Sequence, residues 1–131
     1  MTRVLVDTSV WIEYFNRPTS AEQAELMRLL DGDAASLAGV VLAELLQGAK
    51  SERERDLLRE TLDAFPLLPA SRATWERVGE LAFGLRRRGR TLPLSDLLIA
   101  SPAIEHEHPV YTLDPHFDEI PDLPRPQPPG G

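Results

Sequence analysis

Four carboxylates stand where parallel strands would end or where the helices after them would begin. Asp7 follows one short apolar run, and Asp114 follows another near the end of the chain. Glu44 and Asp96 fall in the early turns of two predicted helices. Because the carboxyl ends of parallel strands and the starts of the following helices face one edge of a sheet, these four side chains can converge there.

Converging carboxylates would make this edge of the sheet a site for a divalent cation. Negative charges held a few ångströms apart repel each other, which raises their pKa values and opposes folding until a cation neutralises them. Ligands that are all oxygen suit Mg²⁺, with Mn²⁺ as the alternative. Such ions activate a water and stabilise the leaving oxygen when a phosphodiester is cleaved. This chemistry needs no serine–histidine or cysteine–histidine pair.

The elements that must position these carboxylates follow from the hydrophobic pattern. Short apolar strands alternate with helices, and this order predicts an α/β fold with a parallel sheet. We expect strands at residues 3–6, 35–38, 65–68 and 110–113. Asp7 and Asp114 would then stand where the first and the fourth of these strands stop.

Cap and stop signals place the helices. Gly89 is a typical C-terminal stop for a long helix, and Pro102 is expected to kink or shorten the helix that follows. The predicted N-terminal caps are Thr8 or Ser9, the capping-box segments 19–22 and 51–54, Ser71, and Ser95.

Apolar faces along the helices predict both the core and a partner. Ala24, Met27 and Leu30 are expected on one face of the second helix. The long helix carries a stripe of Trp75, Val78, Leu81, Ala82 and Leu85. The first two helices hold more apolar side chains than one small sheet can cover, so we predict a homodimer. These side chains are Trp11, Ile12, Tyr14, Phe15, Leu26, Met27 and Leu30.

Composition limits the classes of protein that fit. A chain of 131 residues suits one domain, and the absence of cysteine excludes disulfides, zinc thiolate sites and a cysteine nucleophile. We expect no signal peptide and no membrane span, because no apolar run approaches about 20 residues. A cytoplasmic protein is therefore expected. The last residues, 124–131, are rich in proline and glycine and are predicted to form an irregular tail.

The charge distribution bears on nucleic-acid binding. The net charge of −7 opposes binding to phosphates through bulk electrostatics, although bound cations would offset part of it. Arg86, Arg87, Arg88 and Arg90 fall within five positions. These arginines are either a solvated helix end, where cations are favoured, or a contact for RNA.

Four segments of the chain together resemble the motifs of PIN-domain proteins, and in particular the VapC-type toxins of bacterial toxin–antitoxin pairs. The segments are Val6-Asp7-Thr8-Ser9-Val10-Trp11-Ile12, Ala43-Glu44-Leu45-Leu46-Gln47-Gly48-Ala49, Leu94-Ser95-Asp96-Leu97-Leu98-Ile99-Ala100 and Thr112-Leu113-Asp114-Pro115-His116-Phe117. They occur in the order and at the spacing of that family. The resemblance covers residues 1–123.

This resemblance implies a fold, an activity and partners. The fold would be a PIN-like three-layer sandwich, with a parallel sheet of about four to five strands flanked by helices. The activity would be Mg²⁺-dependent cleavage of RNA, with Mn²⁺ as the alternative metal. The partners would be RNA, a second copy of the chain, and an antitoxin whose C-terminal segment covers the active-site groove. The residues matching the acidic site that holds the metal and does catalysis are Asp7, Glu44, Asp96 and Asp114.

Other positions of the chain match the same family pattern or depart from it. The hydroxyls of Ser9 and Thr112 match positions that orient the acidic site or a water. Pro102 departs from the family's usual small apolar helix residues, and Glu107 stands where a glycine is common. His116 either lines the groove or is a surface loop histidine.

Each acidic residue also has a structural interpretation. Asp7 can be a helix N-cap, and Asp96 can be an acid in the first helical turn that interacts with the helix dipole. Glu44 can be a solvated helix residue, and Asp114 can begin an Asp-Pro turn.

Other functions also fit an acidic sheet edge. A phosphoacceptor domain would need a lysine after a late strand, but the only lysine, Lys50, ends a helix in the first half. A phosphatase with a nucleophilic aspartate would want a second aspartate where Ser9 stands. A non-catalytic PIN-fold interaction module remains the main alternative to the ribonuclease.

Overall fold

A four-stranded parallel sheet forms the centre of the protein. The structure is a computed structural model that describes residues 3–17, 19 and 21–124. The strands lie in the spatial order β3-β2-β1-β4, and every neighbouring pair is parallel. Their bounds are β1 (Val4–Val6), β2 (Ala35–Ala38), β3 (Leu67–Leu68) and β4 (Val110–Tyr111).

Helices cover both faces of this sheet. All four residues of β2 are buried, although successive side chains of a strand point to opposite faces. Both faces of the central strands are therefore packed, as in parallel sheets generally. The α/β fold expected from the sequence is confirmed. The helices are α1 (Thr8–Asn16), α2 (Ala21–Asp31), α3 (Gly39–Gln47), α4 (Glu52–Leu62), α5 (Arg72–Arg87) and α6 (Leu94–His106), followed by a 3-10 helix at Pro115–Glu119. Among the described residues, no helix is long and apolar enough to cross a membrane.

The chain reverses direction across the sheet at β1. From β1 the chain moves to β2 and β3 on one side, and it then returns to place β4 on the other side of β1. In such sheets the crevice at the reversal, beyond the carboxyl ends of the strands, is where ligands bind. Residues that follow β1 and β4 are therefore brought to this crevice.

Several predicted caps are present. The Ser51 hydroxyl accepts a hydrogen bond from the backbone N–H of Glu54 at the start of α4. Ser71 and Thr74 form a reciprocal capping box at the start of α5. Gly89 has a φ of +77°, the left-handed conformation typical of a residue just beyond a helix.

Two predicted caps at the site helices were wrong. Neither Thr8 nor Ser9 caps α1, because the helix already begins at Thr8 and Asp7 holds the N-cap position. Ser95 does not cap α6, because that helix begins at Leu94 with Pro93 at the N-cap. The capping box expected at 19–22 falls partly on Ser20, which lies outside the described residues.

Pro102 does not shorten α6, which was one of the two effects predicted for it. The helix continues to His106, four positions beyond the proline. Proline removes one backbone hydrogen bond, but Pro102 and its neighbours Ser101 and Ala103 are buried against the core. Tertiary packing therefore holds this part of the helix. At its end Glu107 adopts a φ of +56°, the left-handed conformation that glycine adopts without strain.

Two apolar faces were assigned incorrectly. In α2 the buried residues are Leu26 and Leu29, whereas Met27 is 45% exposed. Ala24 is exposed as well, and the side chain of Leu30 lies outside the description. In α5, Val78 and Leu85 are buried as predicted, but Trp75 is 58% exposed. The neighbouring Thr74 is buried instead, because its hydroxyl caps the helix and also bonds Glu105 of α6.

The core centres on Trp11 of α1. This side chain is fully buried, and its ring contacts the rings of Tyr14, Phe15 and Phe65. Leu26 is also fully buried, so two of the apolar side chains expected at a partner surface belong to the core, whereas Ile12, Phe15 and Met27 stay exposed. Leu123 packs against the core at the other end of the chain. The predicted irregular tail is described only as far as Pro124, and its remaining residues lie outside the described part.

Candidate metal centre

Asp7 lies where β1 ends and α1 begins. Its backbone N–H donates to the carbonyl of Tyr111 in β4, which ties the end of β1 to β4. Asp7 is extended, with φ −73° and ψ 156°, and its side chain makes no capping bond to the helix. The residue is only 5% exposed. Because this buried carboxylate makes no capping bond to the helix, the capping interpretation of Asp7 describes only its backbone.

Two hydroxyl groups hold the Asp7 carboxylate. Ser9 and Thr112 each donate to Oδ2 of Asp7 at 2.7 Å. Each hydroxyl is itself oriented by a backbone N–H from the loop after β4. Leu113 donates to Ser9 at 3.1 Å, and Asp114 donates to Thr112 at 2.9 Å. The backbone after β4 therefore sets the orientation of the Asp7 side chain through these two hydroxyls.

The same bonds explain why β4 ends at Tyr111 and not at residue 113, as predicted. The N–H groups of Leu113 and Asp114 bond the two hydroxyls rather than a neighbouring strand. The chain then turns at Asp114, whose Oδ1 accepts from the N–H of His116 at 2.9 Å. This is the Asp-Pro turn weighed for Asp114, and it also aims the carboxylate back toward the sheet edge.

Asp96, Asp114 and His116 lie together at the carboxyl edge of the sheet. Each offers one ligand atom, and these three atoms all lie within 4.8 Å of one another. The Nδ1 atom of His116 is 3.2 Å from Oδ1 of Asp114 and 3.6 Å from Oδ2 of Asp96. Oδ2 of Asp96 is buried and accepts no hydrogen bond from the described part of the chain. A buried, unpartnered carboxylate oxygen beside other acids is an arrangement that a cation would satisfy.

Burial is the main cause that raises the pKa of Asp96 above its ordinary value. The negative charges of Asp114 and then Asp7 raise this pKa further, whereas the nearby His116 lowers it. Asp96 thus experiences both other carboxylates electrostatically. The structure brings Asp7, Asp96 and Asp114 to one place, as the sequence predicted, and their mutual repulsion is the physical cost of that arrangement.

Glu44 lies at the rim and not inside this cluster. It is half-buried on α3, and its Oε1 accepts a hydrogen bond from the hydroxyl of Thr8 at 2.9 Å. Thr8 directly follows Asp7, so one short segment contacts both the cluster and Glu44. Glu44 also lines a groove of about 540 Å³ between α1, α3 and α4. Other residues lining this groove are Ile12, Phe15, Leu45, Lys50 and Leu57.

Sequence reasoning missed two contributors. Thr8 was considered only as a helix cap, yet its hydroxyl positions Glu44. His116 was expected either in the groove or on the surface, yet its ring nitrogen faces two carboxylates. The signal that could have indicated His116 is its place two residues after Asp114, within the same tight turn.

The arginine cluster lies elsewhere. Arg86 and Arg87 end α5 and are exposed, and the Arg87 guanidinium lies 5.8 Å from the centre of the Phe83 ring. Arg90 forms an ion pair with Glu119, which follows Asp118 in the 3-10 helix. Asp118 lines a cavity together with Arg88 and Arg90.

Comparison with known proteins places this arrangement in a family. The family model described as PIN domain matches residues 4–123, which is most of the chain. The ribonuclease VapC11 of Mycobacterium tuberculosis is 33% identical over 121 residues, covering 89% of this chain and 90% of that protein. The chain therefore belongs to the PIN-domain family, among its VapC-type members.

Solved structures of VapC-type proteins share the fold. The crystal structure of VapBC2 from Rickettsia felis, bound to a DNA fragment from its promoter, matches with a TM-score of 0.82. The two are 25% identical, and the match covers 95% of this chain and 98% of that chain. The DNA-bound VapBC of Salmonella typhimurium matches with a TM-score of 0.80 at 22% identity, over 96% of this chain and 98% of that chain. The latter likeness concerns the fold alone.

Proposed function

We propose that this chain is a metal-dependent endoribonuclease and the toxin of a toxin–antitoxin pair. The observation that carries the proposal is the buried Oδ2 of Asp96, which lacks a hydrogen-bond donor while two further carboxylates raise the pKa of its group. Without a cation this arrangement costs stability, which the nearby His116 offsets in part. The relatives named as ribonucleases support the same activity, and we assign the domain to residues 1–123 with a tail at 124–131.

The four carboxylates divide the work in this proposal. Asp7, Asp96 and Asp114 would hold the cation, because all three meet at the carboxyl edge of β1 and β4. Glu44, fixed by Thr8 at the rim, would complete the site when RNA lies in the groove. Mg²⁺ suits oxygen ligands best, and Mn²⁺ is the alternative. The bound cation would supply Lewis-acid chemistry for phosphodiester hydrolysis.

The protein's own groups keep the site in one geometry. Because Ser9 and Thr112 both donate to Oδ2 of Asp7, that carboxylate cannot rotate without losing two hydrogen bonds. Both hydroxyls accept hydrogen bonds from backbone N–H groups after β4, so the position of Asp7 is coupled to the position of Asp114. This coupling is what a preorganised site requires, since misplacement of a ligand by about 1 Å is costly.

An antitoxin segment is the partner we propose for the groove between α1, α3 and α4. The groove exposes Ile12 and Phe15, which are 46% and 38% exposed, and it ends at the acidic rim residue Glu44. Glu54 adds a second acid to its lining. An apolar segment that also carries cations therefore fits the groove and reaches the site. Solved VapBC and toxin–antitoxin complexes of similar fold support such a partner.

We also propose a homodimer, on a surface separate from the groove. Trp75 and Phe83 lie two helical turns apart on α5 and are 58% and 64% exposed. A second copy of the chain would cover this aromatic pair, since exposed apolar patches of this kind mark interfaces. Light scattering at micromolar concentration should give twice the monomer mass. A purely monomeric result would contradict the dimer.

Cleavage of single-stranded RNA by the purified chain tests the activity. We expect cleavage with Mg²⁺ or Mn²⁺, and none with EDTA. Asp7→Asn keeps an acceptor oxygen for Ser9 and Thr112 but removes the charge, so it should fold and yet lose cleavage by at least about a hundredfold. Glu60→Gln, a neutralising change at an exposed position of α4, is the matched control and should cleave normally.

The outcomes of this experiment distinguish a metal-dependent ribonuclease from a non-catalytic interaction module. Cleavage that survives both EDTA and Asp7→Asn would refute the metal-dependent mechanism. A folded chain that cuts no RNA in a broad panel, yet binds its antitoxin, would favour a non-catalytic interaction module. Loss of cleavage in Asp7→Asn but not in Glu60→Gln would support the acidic cluster as the active site.

A further inference from the structure

We propose that His116 is a ligand of the cation, through its Nδ1 atom, and that the site therefore prefers Mn²⁺ and similar transition-metal ions to Mg²⁺. This inference deepens the proposed function and depends on the metal site described above. An all-oxygen site made only of the four carboxylates suits Mg²⁺ and Mn²⁺ alike and gives neither ion a nitrogen ligand.

The geometry of the cluster supports His116 as a ligand. On an octahedral ion with bonds of about 2.1 Å, two ligand atoms at right angles stand about 3.0 Å apart. The Nδ1 atom of His116 is 3.2 Å from Oδ1 of Asp114 and 3.6 Å from Oδ2 of Asp96. A small closing movement would therefore bring the three atoms onto one ion. An ion pair between the imidazole and the two carboxylates is the alternative arrangement, and the nitrogen modulation described below distinguishes it from a metal bond.

The unpartnered oxygen of Asp96 is the second observation. Asp96 is 9% exposed, and its buried Oδ2 is the oxygen that faces His116. A group placed between this oxygen and Nδ1 would satisfy both. Among the described residues this oxygen accepts no hydrogen bond of ordinary length, and its 3.6 Å separation from Nδ1 of His116 is one that two ligands of a single ion can have.

The turn after β4 fixes the imidazole where a ligand is needed. The N–H of His116 donates to Asp114, and Pro115 restricts the backbone between them. On the other side Phe117 is 3% exposed and anchors the turn in the core. His116 is thus held on both sides, while about half of its side chain stays exposed and can be reached by a metal ion.

Ligand chemistry predicts the metal preference. Imidazole nitrogen binds the later first-row divalent ions well, and the affinity of a given site generally rises from Mn²⁺ toward Cu²⁺. Mg²⁺ gains little from a nitrogen ligand, because it is a hard ion that prefers oxygen and keeps its waters. Replacing His116 should therefore weaken Mn²⁺ binding much more than Mg²⁺ binding.

Spin-echo spectroscopy of bound Mn²⁺ tests the bond directly. We expect ¹⁴N modulation from a directly bound nitrogen in the unaltered chain, and its loss in His116→Ala and in His116→Gln. Calorimetric titration should show Mn²⁺ affinity falling by about tenfold or more in both variants, with a clearly smaller change for Mg²⁺. His116→Gln keeps a polar side chain of similar reach, which guards against an effect of truncation alone.

His106→Ala is the matched control. His106 lies in the last turn of α6, ten residues from Asp96 and thus about 15 Å away along the helix. This variant should keep both the ¹⁴N modulation and the Mn²⁺ affinity. Bound Mn²⁺ without nitrogen modulation in the unaltered chain would overturn the role of His116 and leave the acidic site standing. Failure of the unaltered chain to bind Mn²⁺ at all would overturn both.

Discussion

Replacing Asp96 with asparagine should stabilise the protein in the absence of metal. Asp96 is buried among like charges, so its ionised form is disfavoured in the folded state and its pKa is raised. Asparagine has nearly the same shape and carries no charge. Its amide N–H groups can also donate to Asp114, where the carboxylate could only repel.

The size of the effect follows from the distances in the cluster. The ligand atoms of Asp96 and Asp114 lie within 4.8 Å. Two unit charges at this separation repel by about 3.5 kcal/mol at an effective dielectric constant of 20, and by about 0.9 kcal/mol in bulk water. His116 offsets part of this repulsion when it is protonated. We therefore expect a gain of about 1–2 kcal/mol, which for a chain of this length raises Tm by about 4–7 °C.

The assay is thermal unfolding at pH 7 with EDTA and then with excess Mg²⁺ or Mn²⁺. In EDTA the Asp96→Asn variant should melt above the unaltered chain. Metal at 100 times its Kd should add about 2.7 kcal/mol to the unaltered chain and far less to the variant, which reverses the order. The exposed variant Glu60→Gln removes the same charge far from the cluster, so it controls for the net charge of −7.

The pH dependence of stability independently checks whether ionised Asp96 destabilises the folded state. The unfolded chain releases the Asp96 proton near 3.8, whereas the folded chain holds it to higher pH. As pH rises through this interval, the folded state loses the stability that Asp96 contributed in protonated form. The advantage of Asp96→Asn should therefore grow with pH from about 4 and then level off. A variant that melts below the unaltered chain in EDTA would refute the repulsion argument.

Three further predictions concern regions outside the cluster. The pKa of His108 is lowered, first by burial and then by the charges of His106 and Arg3. The free energy of unfolding should therefore fall as pH drops below 6.5. In denaturant titrations at several pH values, His108→Gln should make this free energy less dependent on pH. Glu107→Gly should raise the free energy of unfolding by about 1 kcal/mol in urea titrations, because Glu107 has a φ of +56°, and an unchanged value would contradict strain there. Combined alanine replacement of residues 86–88 should lower RNA affinity and its salt slope if these arginines bind phosphate, whereas an unchanged slope would make them a solvated helix end.

The order of elements was predictable because it rests on strong local signals. Val4–Val6 and Ala35–Ala38 are short apolar runs bounded by polar or turn residues, and Ser51 and Ser71 are caps with suitable partners three residues later. These features depend only on neighbours in sequence. The family resemblance then supplied the topology, which no local signal contains.

Side-chain burial was less predictable, because it depends on partners distant in sequence. The apolar stripe of α5 was assigned to Trp75, but Thr74 is the buried residue, because its hydroxyl donates a hydrogen bond to Glu105 of α6. In α2 the periodicity was found, but Leu26 and Leu29 are the buried residues rather than Met27. A shift of one position on a helix turns a side chain by about 100°, and only the packing of the neighbouring element decides between such shifts.

The site shows the same division between local and distant information. Position in the chain places Asp7 after β1 and Asp114 after β4, and this was sufficient to predict that they would meet. What sequence order could not supply is the hydroxyl pair that joins them. Ser9 and Thr112 are 103 residues apart, yet both donate to one oxygen of Asp7 and both accept from the loop that carries Asp114. The sequence allows an N-cap at Asp7. Only the tertiary structure shows that Ser9 and Thr112 bond its carboxylate and that it makes no capping bond to the helix. For this reason we propose Asp7 as a ligand of the metal.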